Sequence, residues 1–390
     1  MKSLENGKLL SWATEIDEAT IKQATALTRL PFVHPHVALM PDAHAGKGSS
    51  VGTVIPTVGA VIPAAVGVDI GCGMVAVETD IRDTDLLGKD LSTLRERIEQ
   101  AIPLSPGNYN SRINRDSAQE SIDKLERIAA INSVDLSHSP KWREQLGSLG
   151  GGNHFIELCV DKAGWVWLFL HSGSRGVGNK IAQKHIKIAQ SWCAENGIEL
   201  EDRDHAYLSD ATYEFQDYMS ELRWAQKFAR LNRDEMMDRF MDVFEDWLGW
   251  AVVACNRINT HHNYTEQVDF DKTSVWLTRK GAIDASLGVW GLIPGSMGTG
   301  SYVVQGKGNS QALYSAPHGA GRRFSRTQAR KTFTAEDLAA RMTGIEYRHG
   351  EEWIDEIPDA YKPITEVMEA SADLVEVKHE LRQILNVKGT

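Results

Sequence analysis

An α/β fold with a helical excursion through its middle is what this chain of 390 residues predicts, and three observations carry the expectation. Glycine-flanked runs of apolar and β-branched residues, too short for helices, recur through residues 1–175. Glycine then thins out, and Tyr213, Met219, Trp224, Phe228, Met236, Phe240, Phe244 and Trp247 recur at helix-compatible spacing within 176–261. Strand-like runs return after residue 263, with helical segments behind them.

Taken in order, a first helix covers Asp17 to Arg29 and stops before Pro31. Runs at Val51–Ile55, Met74–Thr79, His154–Val160 and Trp165–Leu170 read as strands, several buried on both faces. Helices are expected near 90–101 and 118–131. The stretch 176–261 reads as a long helix or hairpin whose aromatic stripe belongs to the core. Strands follow at Val268–Lys280 and Tyr302–Gln305, then helices near 334–342 and 364–385. No internal repeat, low-complexity tract or linker interrupts the chain, so residues 1–390 are expected to form a single catalytic domain.

The composition, 42% hydrophobic and 24% charged, is that of a soluble globular protein. The longest apolar run, Gly59 to Val68, is short and broken by Pro63, so no membrane span is expected. The opening MKSLENGKLLSW lacks the apolar core of a secretory signal. Cysteines 72, 159, 193 and 255 form no CxxC pair, which argues against a disulfide framework or an all-cysteine zinc site and for a reducing cytoplasm. A net charge of −11 is the wrong sign for coating nucleic acid, so an RNA or nucleotide substrate would need a local basic surface. Residues 318–331 offer one: Arg322, Arg323, Arg326, Arg330 and Lys331 occur there without a single acid.

Asp69 and Cys72, three positions apart among Gly67, Gly71 and Gly73, set a carboxylate and a thiolate where both can point at one metal ion. Four histidines join them at strand ends, a helix end or glycine turns. His154 follows Gly150-Gly151-Gly152-Asn153, His171 opens HSGSRG, His262 lies where the long helix should end, and His318 precedes Gly319-Ala320-Gly321. On donor chemistry alone zinc leads, with manganese, iron and cobalt as alternatives. A bridging thiolate could hold two ions, a pair suited to phosphoryl chemistry. A P-loop and a Rossmann fingerprint are absent, and so is the Lys-x-Asp-Gly of ordinary nucleotide-activated ligases. An activated nucleotide would therefore need another nucleophile, which an imidazole oriented by a carboxylate can be.

These residues resemble the RtcB RNA ligases. The likeness runs through PDAHAGKG at 41–48, GVDIGCGM at 67–74, GGGNHFIE at 150–157 and HSGSRG at 171–176. It continues through HHNY at 261–264, PGSMGTGSY at 294–302, HGAGR at 318–322 and the closing Val387-Lys388-Gly389. The resemblance implies an RtcB-like fold of packed sheets flanked by helices. It implies joining of RNA 3′-phosphate or 2′,3′-cyclic phosphate ends to 5′-hydroxyl ends with GTP and two Mn²⁺. Asp69, Cys72 and His154 would hold one ion; Cys72, His171 and His262 the other, His262 being preferred to His261 because Asn263 follows it. His318 would take GMP from GTP, and Asp42 would orient it. Asn153, Glu157, Asn263, Pro294, Gly295, Ser296, Met297, Ser301, Gly319, Ala320, Gly321 and Lys388 would contact the nucleotide. Arg322, Arg323 and Arg326 would clamp RNA phosphates. The expected particle is cytoplasmic and acts on RNA; a monomer is preferred, and both the oligomeric state and the need for an activating helper protein are left open by the sequence. Two rivals, a two-metal RNA phosphohydrolase and a binding scaffold with a structural metal, fit the intact His318 less well.

Overall fold

The computed structural model describes residues 1–389. Two sheets organise a mixed α/β chain. The first has six strands in the order Lys2–Leu4, Leu9–Ser11, Val37–His44, Val51–Thr57, Thr273–Lys280 and Asn263–Phe270. The second has seven: Ala254–His261, Gly73–Arg82, Trp165–Ser172, Phe155–Asp161, Val375–Val387, Ser301–Gly306 and Trp290–Pro294. Leu9–Ser11 pairs in parallel with Val37–His44; the other paired strands of both sheets are antiparallel.

Side-chain alternation explains how the seven-stranded sheet is buried on both faces. Val75, Val77, Ile156, Leu158, Leu168 and Leu170 face the helices Leu91–Ala101 and Tyr213–Leu248. Met74, Ala76, Phe155, Cys159, Trp167 and Phe169 pack on the opposite face with Ile258, Leu292 and Val303. Val304 and Ile293 join Ala38, Val54 and Leu277 of the other sheet in a shared core.

The helices at Glu18–Thr28, Leu91–Ala101, Asp116–Ile131 and Ala335–Arg341 lie where the sequence predicts them. The excursion is two helices, Arg175–Glu195 and the 36-residue Tyr213–Leu248, and its aromatic stripe is core: Phe215, Trp224, Phe228, Phe240 and Phe244 are buried. It ends sooner than expected. Gly249 takes the left-handed conformation (φ 88°) and stops the helix, and Ala254–His261 is a strand. His262 therefore follows a strand, not a helix. The expected strand Val268–Lys280 is a hairpin turned by Asp271 and Lys272, both at positive φ (45° and 67°) as a tight primed turn requires. The helix expected over 364–385 is real only as Ile364–Ala370; Val375–Val387 is a strand. The overlooked signal was period two: Leu381, Gln383, Leu385 and Val387 are buried, and the strand is paired on both sides. No helix among the described residues is long and apolar enough to cross a membrane.

Candidate metal and nucleotide site

The site sits where the sheets' strand ends meet. Asp69 and Cys72 occupy a turn leading into Gly73–Arg82, and two glycines make that turn possible. Gly71 has φ 66° against Ala229 and Gln226 of the long helix, and a Cβ on Gly73 would sit 1.9 Å from the Thr260 carbonyl. His154 immediately precedes Phe155–Asp161, His171 is the penultimate residue of Trp165–Ser172, and His262 lies between Ala254–His261 and Asn263–Phe270.

All five expected metal ligands converge. The donor atoms of Cys72, His154 and His171 lie within 4.8 Å of one another. Cys72 Sγ is 3.4 Å from His154 Nε2 and 3.2 Å from His171 Nε2. Asp69 Oδ2 is 3.0 Å from His154 Nε2, and His262 Nε2 is 2.9 Å from His171 Nε2. That last contact is informative. His171 Nδ1 donates to the Asn153 carbonyl (3.0 Å) and His262 Nδ1 to Asn263 Oδ1 (3.3 Å), so both Nε2 atoms carry lone pairs. Two lone pairs facing each other in a buried site beside a thiol make a donor set that could hold a metal cation. Burial, and next the charge of His154 for His171 or of His318 for His262, holds both imidazoles well below their ordinary pKa, in the neutral form a metal binds. Burial works to raise Asp69, but His154 outweighs it and draws the carboxyl down to about 2. Burial, then Asp69, pushes the Cys72 thiol up, so thiolate formation there awaits the metal.

His318 stands beside this cluster after the strand Ser315–Pro317, its ring 4.6 Å from that of His262. Its Nδ1 is 2.7 Å from Oδ2 of the fully buried Asp42, which also accepts the His318 backbone N–H at 3.2 Å. Nε2 is thereby the free ring nitrogen. A cleft joins His318, Asp69, Cys72, His171 and His262 to the other expected nucleotide contacts: Asn153, Asn263, Pro294, Gly295, Ser296, Met297, Gly319, Ala320, Gly321 and Lys388 all line it. Glu157 and Ser301 do not; both are buried beneath, with Glu157 Oε1 taking hydrogen bonds from Gln383 (2.9 Å) and Asn386 (2.7 Å).

The arginine run is neutralised rather than bare. Arg322 and Arg326 line the cleft but pair with Glu356, and Arg326 also holds Asp355; Arg323 lies outside the lining, on Glu15. Lys388 Nζ reaches the same Glu356 (3.3 Å). Burial of Glu356 favours its neutral form, yet Lys388 and Arg326 overcome it and bring the carboxyl to about 2. Sequence reasoning also passed over His44, Lys280, Glu356, Tyr361 and Asn386, which complete the wall, and Arg233 beneath it. Fully buried on the long helix, Arg233 donates to the Gly71 and Ser172 carbonyls (2.7 and 3.0 Å), Asn259 Oδ1 (2.9 Å) and His261 Nδ1 (3.0 Å). It ties three ligand-bearing segments together. His44 alone lay inside a quoted motif; the others had no local signal.

Comparison with known proteins gives a consistent result. A family model described as "tRNA-splicing ligase RtcB" matches residues 23–389. The RNA-splicing ligase RtcB of Escherichia coli (strain K12) is 42% identical, over 99% of this chain and 98% of that protein. The RNA-splicing ligase RtcB of Mycobacterium tuberculosis is 30% identical over 90% of this chain and 95% of its own length. The tRNA-splicing ligase RtcB of Aeropyrum pernix is 28% identical over 91% and 88%.

Proposed function

This chain belongs to the RtcB family and is an RNA ligase, and from that premise we propose that it joins RNA 3′-phosphate or 2′,3′-cyclic phosphate ends to 5′-hydroxyl ends through a guanylylated His318. The observation that carries this reading is the Asp42–His318 pair beside the metal cluster. Asp42 holds the proton on Nδ1, leaving the Nε2 lone pair to attack the α-phosphorus of GTP. The Nε2–P bond forms as the bond to the β-phosphate oxygen breaks, and pyrophosphate leaves. GMP then passes from His318 to the RNA 3′-phosphate, restoring the free imidazole. The 5′-hydroxyl oxygen attacks the activated phosphorus, its proton passes to solvent and GMP departs. A cyclic phosphate is first opened by water in the same site.

The donor set fits two Mn²⁺, with Asp69, Cys72 and His154 for one and Cys72, His171 and His262 for the other; such ions would neutralise charge on the phosphate oxygens. Asn153, Asn263, the Pro294–Met297 turn, the Gly319–Gly321 turn and Lys388 would hold the nucleotide. Glu157 and Ser301 would act from below by fixing the floor. Arg322 and Arg326, at the rim, would meet RNA. The four unpaired cysteines support a cytoplasmic setting, and we read the chain as one catalytic unit.

The test is intact mass after incubation with GTP and Mn²⁺. Wild type should gain one GMP and His318→Ala none. No adduct on a folded, metal-loaded wild type that still opens cyclic phosphates would establish the phosphohydrolase instead.

A further inference from the structure

The arginine run that the sequence advertises is neutralised by Glu15, Asp355 and Glu356, but another group of cations is not. Arg223, Lys227 and Arg230 recur at four- and three-residue spacing on the helix Tyr213–Leu248, one stripe with steps of about 6 and 4.5 Å along the axis. None of the three has an ion-pair partner among the described residues, whereas nearby Arg257 is tied to both Asp234 and Asp238. Lys124, exposed on Asp116–Ile131 and likewise unpaired, comes up against Lys227. Burial, and then the charges of Lys124 and Arg230, depress the Lys227 ammonium, outweighing the opposite pull of Asp234, which is itself paired with Arg257.

The stripe borders a groove. Two shallow depressions between the helix and the strands Ala254–His261 and Asn263–Phe270 share Arg230, His261, Tyr264 and Glu266. Glu266 is already engaged by Arg279, so it does not cancel the stripe. Gln226 and Ala229 of the same helix pack on Gly71, which places the groove on the outer side of the loop that carries Asp69 and Cys72. A cluster of unneutralised cations on a chain of net charge −11 repels itself, and a polyanion laid along it relieves that repulsion.

We propose that Arg223, Lys227 and Arg230, flanked by Lys124, form a docking surface for the RNA phosphodiester backbone outside the catalytic cleft, gripping the body of the RNA while its ends react. The proposal rests on the ligase reading only in taking RNA as the substrate. The contacts are to phosphates, so they confer affinity and salt dependence without base preference.

The experiment is equilibrium binding of the full chain to an RNA hairpin bearing a 3′-phosphate, titrated over salt, for wild type and the triple variant Arg223→Ala/Lys227→Ala/Arg230→Ala. Affinity should fall about tenfold or more near physiological salt, and the slope of log K against log salt should shrink by about 2 to 3. GMP-adduct formation, measured in parallel, should be unchanged. The single variant Lys227→Glu should weaken binding in the same direction should the triple fail to fold. Unchanged affinity and slope would overturn the proposal. So would loss of adduct in the triple variant alone, which would make the stripe a support of the metal loop. Intact RNA binding with lost binding of poly-glutamate would assign the surface to an acidic protein instead. Absence of adduct in the wild type would count against the guanylyl-histidine reading and leave this surface standing.

Discussion

Replacing Asp42 by Asn changes one buried atom and exposes the orientation of the proposed nucleophile, His318, to measurement. Asp42 Oδ2 accepts from both His318 Nδ1 (2.7 Å) and the His318 backbone N–H (3.2 Å), in a position with no solvent access. A hydrogen bond to a charged group contributes about 1.5–3 kcal/mol. At about 1.36 kcal/mol per factor of ten, losing the charge alone slows guanylylation about 10- to 150-fold. Asparagine can also turn its amide N–H toward Nδ1, which moves the ring proton to Nε2, the atom that must attack. A tautomer error of that kind lowers turnover by up to about 10⁴-fold in serine hydrolases, so the expected loss lies at or above the top of the first range. The assay is the single-turnover rate of GMP-adduct formation at saturating GTP and Mn²⁺, with metal content measured on the same sample. A rate within about twofold of wild type at equal metal content would refute the reasoning and leave Asp42 a backbone anchor.

Three further outcomes are expected. Arg233→Met keeps most of the volume but takes the donor from the Ser172 carbonyl and Asn259 Oδ1, while His261 Nδ1 and the Gly71 carbonyl, 2.9 Å apart, can pair with each other; urea denaturation should show a loss of about 2–5 kcal/mol, and calorimetry a weaker Mn²⁺ affinity. Mn²⁺ at about a hundredfold above its Kd should stabilise wild type by about 2.7 kcal/mol, visible as a raised Tm, while Cys72→Ala, which removes the sulfur nearest both His154 and His171, should show no such shift. Burial raises the Glu157 carboxyl to about 7 despite hydrogen bonds from Gln383 and Asn386 and the charge of Lys388, against 4.5 when exposed. Because the folded value is the higher one, the protonated form is favoured in the native state. Wild-type stability relative to Glu157→Gln should fall as pH rises from about 4.5 to 7, by on the order of 3 kcal/mol, and then level off. A flat difference across that window would mean Glu157 is charged throughout.

Much of the architecture could be read from local pattern. Glycine-flanked apolar runs marked the central strands because alternation there is nearly absent: Val75 and Met74 face different cores, and both are buried. The misreadings came where period was ambiguous. Val375–Val387 mixes charges into a strand, so its polar residues suggested a helix until pairing on both edges settled it. Val268–Lys280 concealed a turn because neither Asp271 nor Lys272 is the glycine that usually marks one.

The sequence by itself determined the family and nominated the proposed ligands and nucleophile, because Asp69, Cys72, His154, His171, His262 and His318 each sit in a short motif whose residues act on the backbone locally. Tertiary structure alone decided what depends on meetings between distant segments. It set which ring nitrogens carry lone pairs, through Asn153 and Asn263, and it joined Arg233 to loops from three parts of the chain. It also determined which cations are free. Arg326, expected to clamp RNA phosphates, is held by Asp355 and Glu356, while Arg230 has no ion-pair partner among the described residues. Charge neutralisation is a property of neighbours within a few ångströms, and local sequence does not name them.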